Sequence, residues 1–284
     1  MDPASSIVVT GASTGIGHAL CLDLARDGRT VFGSVRREED GARLREASDG
    51  RVRPLLFDVT DDEAVAAGAA EVAAALDGAP LGALVNNAGI AVAGPLEYLP
   101  MAEFRRQMAV NVEGVLRTTQ AFLPLMRGGR GRIVNLSSIA GRVAFPLSGP
   151  YNASKFALEG MSDALRMELQ AFGHEVVLIE PGPVQSEIWT TSGREAEEMA
   201  EALPARARED YGPMMTKVRE VVEKAARDAL PVEDCVKVLR RALDAPRPRT
   251  RYAVGRGPKF LLAIRRLLSD RVMDRLVLGG TPKP

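Results

Sequence analysis

The sequence predicts a doubly wound α/β fold, a parallel sheet with helices on both faces, in one domain of 284 residues. Three observations carry that expectation. Short apolar runs alternate, almost without a break, with helical stretches of roughly 10 to 25 residues. The runs lack the in–out alternation of a half-exposed sheet and so read as buried on both faces. The first run ends in a glycine-rich turn that opens a helix.

Residues 7–10 form the first strand and stop at Gly11, and 15–27 then carry Ile16, Leu20 and Leu24 at helical spacing and close at Gly28. The second strand is 30–35, a charged helix spans 38–48, and the third strand is 53–57. Asp61 and Asp62 open a helix over 61–76, as acidic residues favour a helix N-terminus. The fourth strand is 83–86, a long helix runs over 101–126, the fifth strand is 132–136, a helix covers 151–172, and the sixth strand is 175–180. After Pro181 the pattern loosens: 186–227 hold many charges with scattered Met, Ala, Gly and Pro. A helix returns at 232–245 and a last strand at 251–254. No repeat or low-complexity linker divides the chain. One domain, 1–284, is therefore expected, with an insertion at 187–230 and a basic extension at 255–284.

Lys plus Arg (37) equal Asp plus Glu (37), so overall charge gives no argument for a nucleic-acid partner. The balance is uneven, since 247–284 hold ten basic and two acidic residues. There Phe260, Leu261, Ile264, Leu267, Leu268, Val272, Leu276 and Val277 interleave with Arg265, Arg266, Arg271 and Arg275. Such a basic amphipathic segment packs on its own body or a subunit, the favoured reading, or lies on an anionic membrane surface. Cys21 and Cys235 fall in helical segments without metal-ligand spacing, which implies neither a disulfide framework nor a metal site and fits a reducing compartment. The start MDPASSIVVTGAS does not read as a signal peptide, and no run approaches the ~18 apolar residues of a membrane span. The expected location is the cytoplasm.

Three constellations carry chemistry. Thr10-Gly11-Ala12-Ser13-Thr14-Gly15-Ile16-Gly17 joins the first strand to the first helix with spacing G-x3-G-x-G, and bare glycine backbone there lets a pyrophosphate approach the helix N-terminus. At the end of the second strand stand Arg36 and Arg37 and no acid. A carboxylate at that place suits the ribose 2′-OH of NAD, whereas arginine accommodates a 2′-phosphate and so favours NADP(H). Third, Ser138 follows the fifth strand, and Tyr151 and Lys155 lie one helical turn apart. A phenol is a poor acid or base near neutrality, but an ammonium beside it favours the phenolate and lowers its pKa. Serine-nucleophile chemistry lacks its parts: there is no G-x-S-x-G elbow, and His18 and His174 read as surface or capping residues.

With these residues in view, the chain resembles the short-chain dehydrogenase/reductases, closely over about 5–190 and loosely beyond. The motifs stand in order: TGASTGIG at 10–17, Asp58-Val59, NNAG at 86–89, Asn111, Ser138, YxxxK at Tyr151 and Lys155, and PGPV at 181–184. The resemblance implies a Rossmann fold whose cofactor contacts are Gly11, Ser13, Thr14, Gly15, Ile16, Gly17, Arg36, Arg37, Asp58, Val59, Asn87, Ala88, Gly89, Tyr151, Lys155, Pro181, Gly182, Val184 and Ser186. It implies that Tyr151 is the general acid/base, that Lys155 depresses its pKa and holds the nicotinamide ribose, that Ser138 polarises the carbonyl, and that Asn111 supports a proton relay. Two positions depart from the common pattern: His18 stands where arginine is usual and Ser186 where threonine is usual.

The same resemblance makes 187–230 a substrate lid with Trp189, Met199, Met214 and Met215 as candidate apolar wall. Leu147, Gly149 and the loop 90–96 line the other side. Few charges fall in these loops, which implies an uncharged, apolar ketone or secondary alcohol of steroid, retinoid or lipid type. The leading reading is an NADP(H)-dependent ketoreductase, dimeric or tetrameric as is common in the family. An NAD-using alcohol dehydrogenase of the same fold and an inactive dinucleotide-binding sensor stand beside it, and a methyltransferase, which has no need of YxxxK, is weaker.

Overall fold

Seven strands, β1 (Ile7–Val9), β2 (Val31–Val35), β3 (Val52–Leu56), β4 (Ala83–Asn86), β5 (Arg132–Leu136), β6 (Glu175–Pro181) and β7 (Arg251–Val254), pair in parallel in the order β3-β2-β1-β4-β5-β6-β7. The structure, a computed structural model, describes residues 5–279, apart from the side chains of 188–190. Strand order reverses between β1 and β4, so their carboxyl ends open the crevice in which doubly wound sheets bind ligands.

Burial explains the uniform apolar character of the central strands. On β1, Ile7 and Val9 enter one core with Leu20, Leu24 and Leu239, while Val8 enters the opposite core with Phe32, Leu84, Phe122 and Ile133. Edge strand β3 differs: Val52 and Leu55 are buried, Arg53 and Leu56 are exposed, and Pro54 is tolerated where its missing N–H disrupts no second ladder.

The helices are α1 (Gly15–Arg26), α2 (Glu38–Ala47), α3 (Asp62–Leu76), α4 (Met101–Met108), α5 (Gly114–Phe122), α6 (Gly149–Leu169), α7 (Glu187–Ala202), α8 (Ala205–Arg227), α9 (Val232–Asp244), α10 (Arg256–Arg265) and α11 (Asp270–Leu278). Asp61 caps α3 by accepting from the Ala64 amide at 3.0 Å. Cys21 on α1 and Cys235 on α9 are free, buried thiols of the first core, and burial pushes both thiols up. Buried Arg132 donates to the carbonyls of Ala242, Leu243 and Ala245 and so fixes the end of α9 on the sheet.

Several boundaries move. The helix expected over 101–126 is α4, a π-helical turn (Ala109–Glu113), α5 and a 3₁₀ turn (Leu123–Met126). Gly114 presses on Val59, where a Cβ would fall 2.7 Å from Cγ2, and the wider turn brings Asn111 inward, 1% exposed. Helix α6 begins two residues early with Pro150 in its first turn, where the absent N–H costs nothing. His174 is not a surface residue: it is 4% exposed, and its Nδ1 accepts from the Gly131 amide at 3.1 Å. The C-terminal segment forms two helices rather than one. Pro258 packs on Gly182, Met273 is buried, and Lys217 of α8 donates to the carbonyls of Leu278 and Gly279 at 3.2 and 3.3 Å, while Phe260, Leu267, Val272 and Leu276 stay exposed. No described helix is long and apolar enough to cross a membrane.

Candidate active site

The glycine turn sits at the carboxyl end of β1, and its glycines meet different demands. Gly11 (φ +67°) and Gly15 (φ +58°) take the left-handed region. Gly17 is required by proximity, since a Cβ would fall 2.3 Å from the Gly11 carbonyl oxygen and 2.5 Å from Asn87 Nδ2. The end of β4 is thereby stitched to the turn. The Thr10 hydroxyl accepts from the amides of Asn87 and Ala88, both at 3.0 Å, and Asn87 Nδ2 donates to the carbonyls of Thr10 and Gly11, both at 2.9 Å. Helix α1 opens without a side-chain cap from Thr14 and without an acid in its first turn. Bare glycine backbone and uncapped N–H groups fit a pyrophosphate, as Ser13, Thr14 and Ile16 were expected to contact.

The second strand ends differently from the expected arginine pair. Arg37 is engaged by Asp40, through Nε at 2.8 Å and Nη2 at 3.0 Å, and Arg43 binds the same carboxylate. This leaves Arg36, 74% exposed and 3.9 Å from Asp58, as the guanidinium at the strand end. Asp58 is set by its own turn, accepting from the Thr60 amide (2.9 Å) and hydroxyl (2.7 Å), and Val59 beside it is buried. Buried Ser34 accepts from the Gly11 amide at 3.1 Å and joins β2 to the turn.

The reacting groups converge at the ends of β5 and β6. Ser138 caps the 3₁₀ turn Ile139–Gly141, accepting from the Ala140 amide at 3.1 Å. Its hydroxyl also lies 3.5 Å from the Pro181 carbonyl and hydrogen-bonds Tyr151. Lys155, 6% exposed, donates from Nζ to the Leu136 carbonyl at 2.7 Å and stands 5.6 Å from the centre of the Tyr151 ring. Burial pushes the Lys155 ammonium down to about 8, opposed by the Glu159 carboxylate. The lowered phenol pKa expected from the adjacent ammonium is not what this geometry displays. Burial holds Tyr151 above its ordinary value, and the Ser138 hydrogen bond only opposes that rise.

Asn111 does not touch Lys155. Its carboxamide accepts from the Ile90 amide (2.9 Å) and donates to the Ile90 carbonyl (3.0 Å) and to Ser154 Oγ (3.2 Å), beside Gly89. Sequence reasoning missed Gln107, fully buried, which accepts from the Val92 amide at 2.7 Å and donates to the Ile90 carbonyl at 2.9 Å. It missed Ser154, the hydroxyl both amides reach, and the buried chain in which Asn86 donates to Asn135 (2.9 Å) and Asn135 to Ser162 (2.9 Å). The available signal was a polar residue inside an otherwise apolar run, as at Asn135.

Gly182 and Val184 follow β6, and the Ser186 hydroxyl donates to the Val184 carbonyl at 3.3 Å, with Ser186 Cβ close to Gly15. Helices α7 and α8 occupy the expected lid segment. Leu96 packs on Gly149, the Gly94 amide donates to the Leu147 carbonyl at 2.7 Å, and Met199 packs on Gly94. Leu147 carries φ +59°, a strained value for a branched residue. Met214 and Met215 are half-buried on α8, and the Trp189 side chain lies outside the described set. A cavity of about 270 Å³ separates Val92, Ala93 and Pro100 from Glu195, Met199 and Ala202.

Comparison with known proteins agrees with this geometry. The family model for short chain dehydrogenases matches residues 5–197. The NADPH-dependent 3-dehydrocapnine reductase of Ornithobacterium rhinotracheale is 36% identical, over 95% of this chain and 94% of that protein. Retinol dehydrogenase 7 of Rattus norvegicus is 32% identical, over 98% and 89%. A crystal structure of a Burkholderia phymatum short chain dehydrogenase/reductase in complex with NAD superposes with a TM-score of 0.78 at 25% identity, over 99% and 97%. The chain therefore belongs to the short-chain dehydrogenase/reductase family, oxidoreductases that bind NAD(P) and act on alcohol and carbonyl groups.

Proposed function

We propose that this protein is an NADP(H)-dependent reductase of uncharged, apolar ketones, run toward the secondary alcohol because cells keep that cofactor reduced. The observation that carries the reading is the convergence of Ser138, Tyr151 and Lys155 at the strand ends that also bear the glycine turn. Arg36 supports the choice of a 2′-phosphate, and the name of the Ornithobacterium relative points the same way.

When bound, the nicotinamide supplies the hydride that goes to the carbonyl carbon. Tyr151, kept protonated by burial, gives its proton to the carbonyl oxygen as negative charge develops there. Ser138, fixed by its turn, orients that oxygen. Lys155, anchored on Leu136, offsets the phenolate left behind, and Asn111 serves the return of the proton from solvent. Leu96, Leu147 and Met199 supply apolar walls for the substrate, a character the name of the retinol dehydrogenase relative also suggests.

Exposed Leu116, Phe156 and Met167 on α5 and α6 support self-association into a dimer or tetramer, and we assign the protein to the cytoplasm. The test of the chemistry is Tyr151→Phe. Turnover of a ketone with NADPH is expected to fall by ~10³-fold or more, with NADPH affinity, read by fluorescence titration, within about threefold of wild type. Retained turnover would overturn the role.

A further inference from the structure

Behind Lys155 lies a buried ionic cluster that the proposed chemistry leaves unused. Glu159 stands one turn further along α6 and is 5% exposed. Its Oε2 accepts from Arg251 Nε on β7 at 2.9 Å, and its Oε1 is buried without a hydrogen-bond partner. Arg251 is also claimed by Asp163 of α6 at 2.7 Å and by Glu180 of β6 at 3.6 Å, and Glu180 meets Arg142 at 3.2 Å. Asp163 is further paired with Arg166. A cavity of about 330 Å³ beside Glu159 is edged by Arg142, Phe156 and Arg266.

Packing ties this cluster to the reacting groups. Gly141 ends the turn that Ser138 caps, and a Cβ there would fall 2.8 Å from Ser137 Oγ, 3.0 Å from Glu159 Cγ and 3.0 Å from the Lys155 carbonyl oxygen. The Glu159 stem and the Ser138 turn therefore share one closely packed point. Charge has an equally direct route, because residues four apart on a helix bring their Cβ atoms within about 6 Å. Arg251 is divided among three carboxylates, so Glu159 keeps negative charge that its partner does not fully offset. Among the described residues the Lys155 ammonium donates to the Leu136 carbonyl, a neutral group, and faces Tyr151 on its other side. The Glu159 carboxylate opposes the burial of that ammonium.

We propose that Glu159 is a positioning residue for the proton-handling pair: moored by Arg251, it keeps Lys155 an ammonium and holds the Ser138 turn against α6. The inference rests on the roles proposed above for Tyr151 and Lys155, but its first test does not.

That test titrates the full chain with no added ligand. Of six lysines, Lys155 is assigned in a spectrum of Cε-labelled protein by its loss in Lys155→Arg. Glu159→Gln removes the charge and keeps the shape, so the Lys155 midpoint is expected to fall by at least about half a pH unit. Arg251→Met removes the counter-charge, so the midpoint is expected to rise. Loosened packing does not produce opposite shifts from two members of one cluster. An unchanged midpoint in either variant, or shifts of the same sign, overturns the proposal, and if Glu159→Gln does not fold, the Arg251→Met shift decides alone. Kinetics separate the two readings. The alkaline limb of ketone reduction is expected to move down in Glu159→Gln while the KM for NADPH stays within about twofold; an unmoved limb in an active enzyme counts against Glu159. Shifted Lys155 midpoints in a wild-type protein that reduces no ketone overturn the functional reading and leave the coupling in place.

Discussion

The sheet's carboxyl-end turns and the helices that cover them are held by different kinds of contact. At the glycine turn and the loop after β4 the ties are buried or half-buried bonds between side chain and backbone, made by Thr10, Asn87, Gln107 and Asn111. Leaving one such partner unmet costs about 1–3 kcal/mol. Helix α7 has no buried residue among its described side chains, and α8 has only Ala207. Their ties are surface ones: Arg106 to Glu195 at 2.7 Å, Tyr211 to Glu97 at 2.8 Å, and Lys217 to the end of α11. Exposed pairs of this kind contribute about 0–1 kcal/mol each. By that contrast the turns at the strand ends are built to stay closed, while α7 and α8, the proposed substrate lid, are the part able to open.

Two glycine substitutions give the largest test of that contrast. Gly17→Ala drives a methyl into the Gly11 carbonyl and Asn87, both parts of the buried stitching. It is expected to cost at least about 1–3 kcal/mol, lower the melting temperature by several degrees and abolish NADPH binding. Gly193→Ala in α7 meets open space and replaces a poor helix former, so it is expected to stabilise by about 0.5–1 kcal/mol. Calorimetry on both variants checks the signs. Equal destabilisation would show that the lid is packed as tightly as the turn.

A smaller effect tests the one member of the cofactor half that is held like the lid. Arg36 is exposed and meets Asp58 only at 3.9 Å, yet the proposal gives it the 2′-phosphate. Arg36→Asp is expected to shift the ratio of kcat/KM for NADPH over NADH by about 10- to 100-fold toward NADH, the worth of one charge-assisted bond. An unchanged ratio would remove Arg36 as the phosphate reader and favour the NAD-using alternative, the cofactor held by the Burkholderia phymatum neighbour.

The same contrast governs what sequence could reveal. Strand positions were legible because buried parallel strands are apolar on both faces, and the glycine turn and YxxxK were legible because backbone approach and helical spacing demand particular residues at particular intervals. Gln107, Ser154 and Ser34 were not, because an inward polar residue looks like an outward one until its partner, 15 to 47 positions away, is placed against it. The π-turn at Ala109–Glu113 escaped because helix propensity does not register one extra residue in the turn, and Gly114 packs on Val59 directly after it. Arg37 is engaged by a neighbour that spacing alone did not single out, because Asp40 lies three residues on, in the first turn of α2, where its carboxylate takes both nitrogens. In the lid, side-chain character was readable but contacts were not, since few of them are obligatory.

The smallest prediction falls on the latch between α8 and the loop after β4. The Tyr211 hydroxyl donates to Glu97 at 2.8 Å, and its ring meets Tyr98 edge-on with centroids 6.0 Å apart. Tyr211→Phe keeps the ring contact and removes one exposed hydrogen bond that ties α8 to the loop after β4. Because that bond joins two surface segments and no core residue depends on it, the melting temperature should stay within about 1 °C of wild type. The loss should instead appear as a two- to tenfold rise in KM for the ketone, with the KM for NADPH unchanged because the glycine turn is untouched. If the nicotinamide cofactor also dissociated faster, closure of α8 would have to act on the Gly182–Ser186 segment as well. The latch would then belong to the closed half of the molecule, and the boundary between the two kinds of contact would lie beyond α8 rather than before α7.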